Sequence, residues 1–165
     1  MTNQDICFPH LLLRFGSDQG LIVLMSSRAL TSQVSNLAGP VVCLIDDDAS
    51  VRKSLCRLLD SEGLNVQAFG EADEFLIYLK THTVPVVVLD IWMEDKTAME
   101  VLAHVRTRSP NTKVIFISGH DNDSGAAVTQ AGAYAFFTKP VDNQTFLEAV
   151  RRALGESASR NNGEV

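Results

Sequence analysis

The sequence is short of several things, and each shortage closes off a class of function. It has three cysteines in 165 residues, Cys7, Cys43 and Cys56, with no CxxC spacing and an odd count. A disulfide framework or a thiolate metal site needs paired or closely spaced thiols. These three are therefore expected to be reduced and mostly buried small hydrophobes. Basic residues are also outnumbered: 14 Lys and Arg face 20 Asp and Glu, a formal net charge of −6. No Lys/Arg run or basic stripe occurs, which argues against direct contact with nucleic acid. No apolar run approaches the ~20 residues that span a bilayer, so no membrane role is expected. The opening MTNQD carries no basic n-region, which argues against a secretory signal and for a cytoplasmic protein. Apolar content, by contrast, is ample. At 45% hydrophobic the chain is too apolar for a disordered one and suits a single globular domain with tails.

The apolar residues are unevenly arranged. Residues 1–40 hold isolated pieces, HLLLRF and GLIVLM, with no sustained period, then a polar stretch ending in AGP. They read as an irregular, disordered N-terminal extension, and a true start at Met25 would shorten it. From Val41 the pattern becomes regular. Short apolar runs read as strands at 41–45, 65–69, 84–90, 113–118 and 133–138. Helix-period segments lie between and after them, at about 50–61, 71–80, 97–108, 123–131 and 143–154. Residues 41–155 thus form the domain, and 156–165 a flexible tail.

Five strand–helix units in strict alternation imply an α/β fold, a doubly wound parallel sheet with helices on both faces. VVCLI, VPVVVLD and KVIFIS are nearly continuous in branched apolar residues, as strands covered on both faces should be. NVQAF alternates, which marks an edge strand and suggests the order 2-1-3-4-5. That order puts the topological switch between the first and third strands, where such sheets bind ligands beyond the strand C-termini.

The strand ends carry the chemistry. The first ends in Asp46, Asp47 and Asp48, the third in Asp90, the fourth in Ser118 and the fifth in Lys139 before Pro140. Carboxylates from adjacent strands would repel, and one would be driven neutral unless a cation intervened. Mg2+ suits one or two carboxylates with waters and phosphate oxygens. Lys139 adds a positive charge and Ser118 a hydroxyl donor. Such an edge tolerates a phosphoryl group arriving on a carboxylate. Asp48 is read separately, as a helix N-cap or first-turn acid favoured by the helix dipole.

With those residues in view, the segment from Val41 to about Leu154 resembles a two-component response-regulator receiver domain. The pieces that carry the resemblance are LIDDD, VVVLDIWM, VIFISGH and FFTKP, in that order. DASVRKSL and EADEFL resemble the FixJ-like subgroup of nitrogen-fixation-type regulators. The resemblance implies a flavodoxin-like receiver fold. It makes Asp90 the phosphoacceptor for a sensor histidine kinase. Mg2+ would be held by Asp47, Asp46, Asp90 and the Trp92 backbone carbonyl. Ser118 and Lys139 would contact phosphoryl oxygens, and Phe136 would fill the aromatic switch position with Ser118. It implies a signalling phosphoprotein, not a turnover enzyme. The partners would be the kinase and a downstream protein or phosphotransfer protein, with a phosphorylation-dependent dimer among the forms this can take.

The pattern is not complete. Glu94 stands where the family has proline, Ala98 stands for a glycine, and the segment from Gly119 to Gly132 is about one residue short. These departures bear on switching and kinase recognition and leave the chemical groups in place. Trp92 and His120 lie near the path of water to phosphorus, and a bulky Trp92 is expected to slow hydrolysis. One rival reading makes the chain a degenerate receiver that binds partners without being phosphorylated. Another makes it a haloacid-dehalogenase-like phosphatase with Asp46 as nucleophile and Asp48 as acid/base. That one lacks a later aspartate pair, since Asp142 is the only aspartate after Lys139, and leaves Asp90 without a role. No output domain fits in the residues outside the regular region, so a stand-alone receiver is expected.

Overall fold

The structure is a computed structural model, and it describes residues 39–93, 97–119 and 123–161. Cys7, Met25, Glu94, His120 and nearly all of the N-terminal extension lie outside the described residues. The elements alternate in chain order: β1 (Val41–Ile45), α1 (Ala49–Ser61), β2 (Asn65–Phe69), α2 (Ala72–Tyr78), β3 (Val86–Asp90), α3 (Ala98–Arg108), β4 (Lys113–Ser118), α4 (Asp123–Gln130), β5 (Ala135–Thr138) and α5 (Asn143–Asn161). The five strands form one parallel sheet in the order β2-β1-β3-β4-β5, as expected.

Successive side chains of a strand point to opposite faces, and here both faces are covered. Val42, Leu44, Val86, Val88, Ile115 and Ile117 pack with Leu55 and Leu59 of α1 and Phe146 and Val150 of α5. The alternate positions, Cys43, Ile45, Val87, Leu89, Val114 and Phe116, pack with Phe75 of α2, Val101 and Val105 of α3, and Val128 of α4. Every residue of β3 is buried. That explains its unbroken run VVVL: no position on it faces water.

Element ends differ from the sequence pattern where backbone hydrogen bonding overrides apolar content. β5 starts at Ala135, not 133, because α4 closes on itself first: the Ala133 amide donates to Val128 O across Gly132 at φ +96°. The α1 end repeats this with Leu64 N, Leu59 O and Gly63 at φ +73°. Both glycines hold left-handed conformations that a side chain would strain. β3 starts at Val86, with the Lys113 amide donating to Pro85 O just before it.

The largest difference is in α5, which continues to Asn161, well past the expected end at 154 and into the expected flexible tail. Its polar last turns are tied to the amino edge of the sheet. Ser157, 4% exposed, donates to Ala153 O at 2.9 Å and Pro85 O at 3.3 Å. Glu156 accepts from the Tyr134 hydroxyl at 2.8 Å and pairs with Lys113 at 3.3 Å. Composition alone reads GESASRN as a tail because those partners are distant in sequence.

Candidate functional site

The switch point between β1 and β3 gathers the acidic ends. Asp46 follows β1 directly, and its amide donates to Phe69 O at 3.3 Å at the end of β2. Its carboxylate is fully buried, which is costly for a charge unless it is paired. Oδ1 accepts from the Asp48 amide at 2.9 Å and Oδ2 from Lys139 Nζ at 2.8 Å. Asp90, 5% exposed, also divides its oxygens: Oδ2 takes Lys139 Nζ at 2.5 Å and Oδ1 the Trp92 amide at 3.1 Å. Asp47 is exposed, yet ligand oxygens of Asp46, Asp47 and Asp90 all lie within 4.8 Å of one another. Lys139 reaches the site because β5 runs beside β4; its amide donates to Ser118 O at 2.7 Å. Ser118 is fully buried, one residue past the β4 partner of Asp90. The Lys139–Pro140 peptide is cis.

Burial pushes the Asp46 carboxyl above its ordinary value; the neighbouring Asp90 acts in the same direction, while Lys139 pulls it down. Desolvation opposes the Lys139 ammonium, but its bonds to Asp46 and Asp90 outweigh this and hold its pKa above the usual lysine range. Lys139 is thus a fixed cation. Asp46 and Asp90 share the one ammonium of Lys139, and the exposed Asp47 lies beside them. The donors are all hard oxygens, and one is open to water. That set fits Mg2+ with several retained waters better than a soft transition metal.

Asp46, Asp47, Asp90 and Lys139 are brought together as expected, with Ser118 adjacent. Trp92 meets Asp90 through its amide, and the residue is 56% exposed. Phe136 is half-buried on β5, its ring against Gly125 of α4, where a Cβ would come within 3.0 Å. Asp48 is the N-cap of α1, accepting from Ser50 N at 2.8 Å and Val51 N at 3.2 Å. Those two bonds hold its carboxyl below the usual range, which makes it a poor general acid and weakens the phosphatase alternative. Ala98 is buried as the first residue of α3, behind a capping box between Thr97 and Glu100. Cys43 and Cys56 are buried and form no disulfide among the described residues, and burial pushes the Cys43 thiol to about 12, far from a reactive thiolate.

The sequence reading passed over Arg52. Its guanidinium lies on the acidic loop, with Nη1 donating to Asp46 O at 2.6 Å and 3.4 Å from Asp47 O. The signal was present: a cation at the start of a helix opposes the dipole and calls for a local reason.

Comparison with known proteins agrees with this geometry. The family profile described as response regulator receiver domain matches residues 42–151. The chain belongs to that family. It is 38% identical over 114 residues to the transcriptional regulatory protein TdiR of Thauera aromatica, covering 68% of this chain and 50% of that one. It is 34% identical over 115 residues to the response regulator protein TodT of Pseudomonas putida, covering 69% and 51%. Among solved structures it is similar to the beryllofluoride-activated NtrC4 receiver domain dimer, with TM-score 0.67, 31% identity, and coverage of 71% of this chain and 98% of that one. The chain spans about half the length of these two curated relatives. No helix among the described residues is long and apolar enough to cross a membrane.

Proposed function

We propose that this receiver takes a phosphoryl group onto Asp90 from a phosphohistidine of a sensor histidine kinase. In that step an Asp90 carboxylate oxygen bonds to phosphorus, the P–N bond breaks, and the imidazole leaves and takes up a proton. The product is an acyl phosphate. Little covalent help is needed, so the site works by positioning and by matching charge. The observation that carries the reading is Lys139 Nζ at 2.5 Å from Asp90, beside a three-carboxylate cluster. Mg2+ held by Asp46, Asp47, Asp90 and the Trp92 carbonyl would neutralise phosphoryl oxygens.

This chain's own groups do the rest. Lys139 lies where a phosphoryl oxygen on Asp90 would sit, and can exchange its carboxylate partner for it. Ser118 donates its hydroxyl to another oxygen. Movement of Ser118 toward the phosphoryl group opens space for Phe136, which changes the face of α4, β5 and α5 and so the choice of protein partner. The chain acts as a cytoplasmic phosphoacceptor whose own slow hydrolysis resets it, not as a turnover enzyme. Its downstream contact is a protein or a phosphotransfer partner.

The test is intact mass after incubation with Mg2+ and acetyl phosphate or a phosphorylated kinase domain, beside Asp90→Asn. The expected result is one added phosphoryl group, absent in the variant and in EDTA. The same gain in Asp90→Asn would overturn the assignment. No gain from either donor would make the chain an unphosphorylated interaction module.

A further inference from the structure

The β1–α1 loop carries two of the three clustered carboxylates, and something must hold its backbone. Arg52 sits in the opening turns of α1, half-buried, with its guanidinium folded back over the loop. It bonds main-chain carbonyls: Asp46 O at 2.6 Å, with Asp47 O at 3.4 Å. Gly70, just past β2, lies against the same guanidinium: a Cβ there would stand 3.5–3.6 Å from Nη1, Cζ and Nη2. The Asp46 amide is tied to the same neighbourhood through Phe69 O. Arg52 therefore spans from the acidic loop to the β2–α2 turn.

The choice of partner matters. A cation bonded to the carboxylates would compete with a metal ion for them. A guanidinium bonded to the carbonyls of Asp46 and Asp47 fixes the two residues and leaves their side-chain oxygens to the cluster. We propose that Arg52 is a positioning residue for the cation site, clamping the Asp46–Asp47 backbone so that both carboxylates are held in register with Asp90. This rests on the phosphoacceptor reading for its divalent cation, and it is tested on binding, not on activity.

The two effects of removing Arg52 have opposite signs. By charge alone, loss of a positive group beside an acidic cluster strengthens Mg2+ binding. Loss of positioning weakens it, by about tenfold if Arg52 behaves as outer-shell partners of metal ligands generally do. The experiment is a Mg2+ titration of the full chain, followed by fluorescence of Trp92, the single tryptophan. Wild type, Arg52→Gln, Arg52→Lys and Lys53→Gln are compared, with Tm in EDTA measured for each. Lys53 is exposed on the same helix and reports the charge effect alone.

The expected outcome is weaker Mg2+ binding in Arg52→Gln with none in Lys53→Gln. Arg52→Lys should be intermediate, because an ammonium keeps the charge but lacks the planar fork. Equal or tighter binding in Arg52→Gln overturns the proposal, as does a fall in Tm with an unchanged Mg2+ constant, which would mark a purely structural role. If Arg52→Gln does not fold, Arg52→Lys carries the test, and wild-type affinity in it overturns the proposal. Absence of saturable Mg2+ binding in the wild type would instead remove the cation from the phosphoacceptor reading itself.

Discussion

The two ends of the sheet both bury polar side chains, and they settle them differently. At the amino edge the buried groups are Thr112 and Ser157. Thr112 donates to Val84 O at 2.6 Å, and Ser157 to Ala153 O and Pro85 O. These are neutral bonds closed within the chain. At the carboxyl edge the buried groups are Asp46, Asp90 and Ser118. Their hydrogen bonds are also made, since no buried side-chain polar atom among the described residues lacks a partner. They include, however, two carboxylates that share the one ammonium of Lys139. One end is closed by neutral hydrogen bonds, and the other gathers charged oxygen groups of the kind that suits a hard cation. Hydrogen-bond satisfaction alone would not tell the two apart; charge does.

The comparison is broken most strongly by removing the fixed cation. Lys139→Met should cut phosphoryl transfer to Asp90 by about 10²-fold or more, the usual loss when one preorganised donor to a developing charge is removed. Single-turnover transfer followed by intact mass would measure it. A loss of less than twofold would mean that Lys139 serves only to pair Asp46 and Asp90 in the free protein. The opposite end should give the opposite pattern. Thr112→Val leaves Val84 O and Ser109 Oγ without their partner and should cost about 1–3 kcal/mol of stability. Urea unfolding checks that, and the phosphorylation rate should not change.

A smaller effect sharpens the boundary. Thr97 sits near the carboxyl edge, yet its bonds with Glu100 close locally, so it belongs with the amino-edge kind. Thr97→Ala should cost about 1 kcal/mol through the lost cap of α3. Mg2+ affinity on the Trp92 signal should be unchanged. If that affinity falls, α3 and the acidic cluster are one unit.

The same contrast explains what was legible in the sequence. Strand order and site followed from local signals: unbroken apolar strands, an alternating edge strand, and charges placed after strand ends. Each of those signals sits within a few residues of what it predicts. The last turns of α5 were not legible because Ser157 and Glu156 are satisfied by Pro85, Lys113 and Tyr134, far away in sequence. The T-x-x-E cap at Thr97, by contrast, is a local signal of the first kind, at the start of the helix-period segment at about 97–108. For Arg52 the sequence holds only the general signal of a cation at a helix start; the main-chain carbonyls of Asp46 and Asp47 that it bonds are displayed by no residue pattern.

The smallest expected effect has an unusual sign. Most substitutions of a fully buried, hydrogen-bonded residue destabilise. Asp46→Asn should stabilise the metal-free protein instead. Burial raises the folded-state pKa of Asp46 above its ordinary 3.8, so the folded chain holds this proton more tightly than the unfolded one. Stability therefore falls as pH rises from about 3.8 through the higher folded value, and at neutral pH the ionised carboxylate is a burden. Asparagine keeps an acceptor for the Asp48 amide and removes the charge facing Asp90. The lost pairing with Lys139 opposes this gain, which is why the effect is small. Thermal unfolding in EDTA near pH 4 and at pH 7 would read it. The variant should gain more over wild type at pH 7 than near pH 4, because the loss in wild type begins at the ordinary value of 3.8. With saturating Mg2+ the order should reverse, because wild type alone keeps the full cluster and is stabilised by the bound ion. A variant less stable than wild type in EDTA at both pH values would mean that the Lys139 pair outweighs burial, and that this edge, like the other, is complete without a ligand.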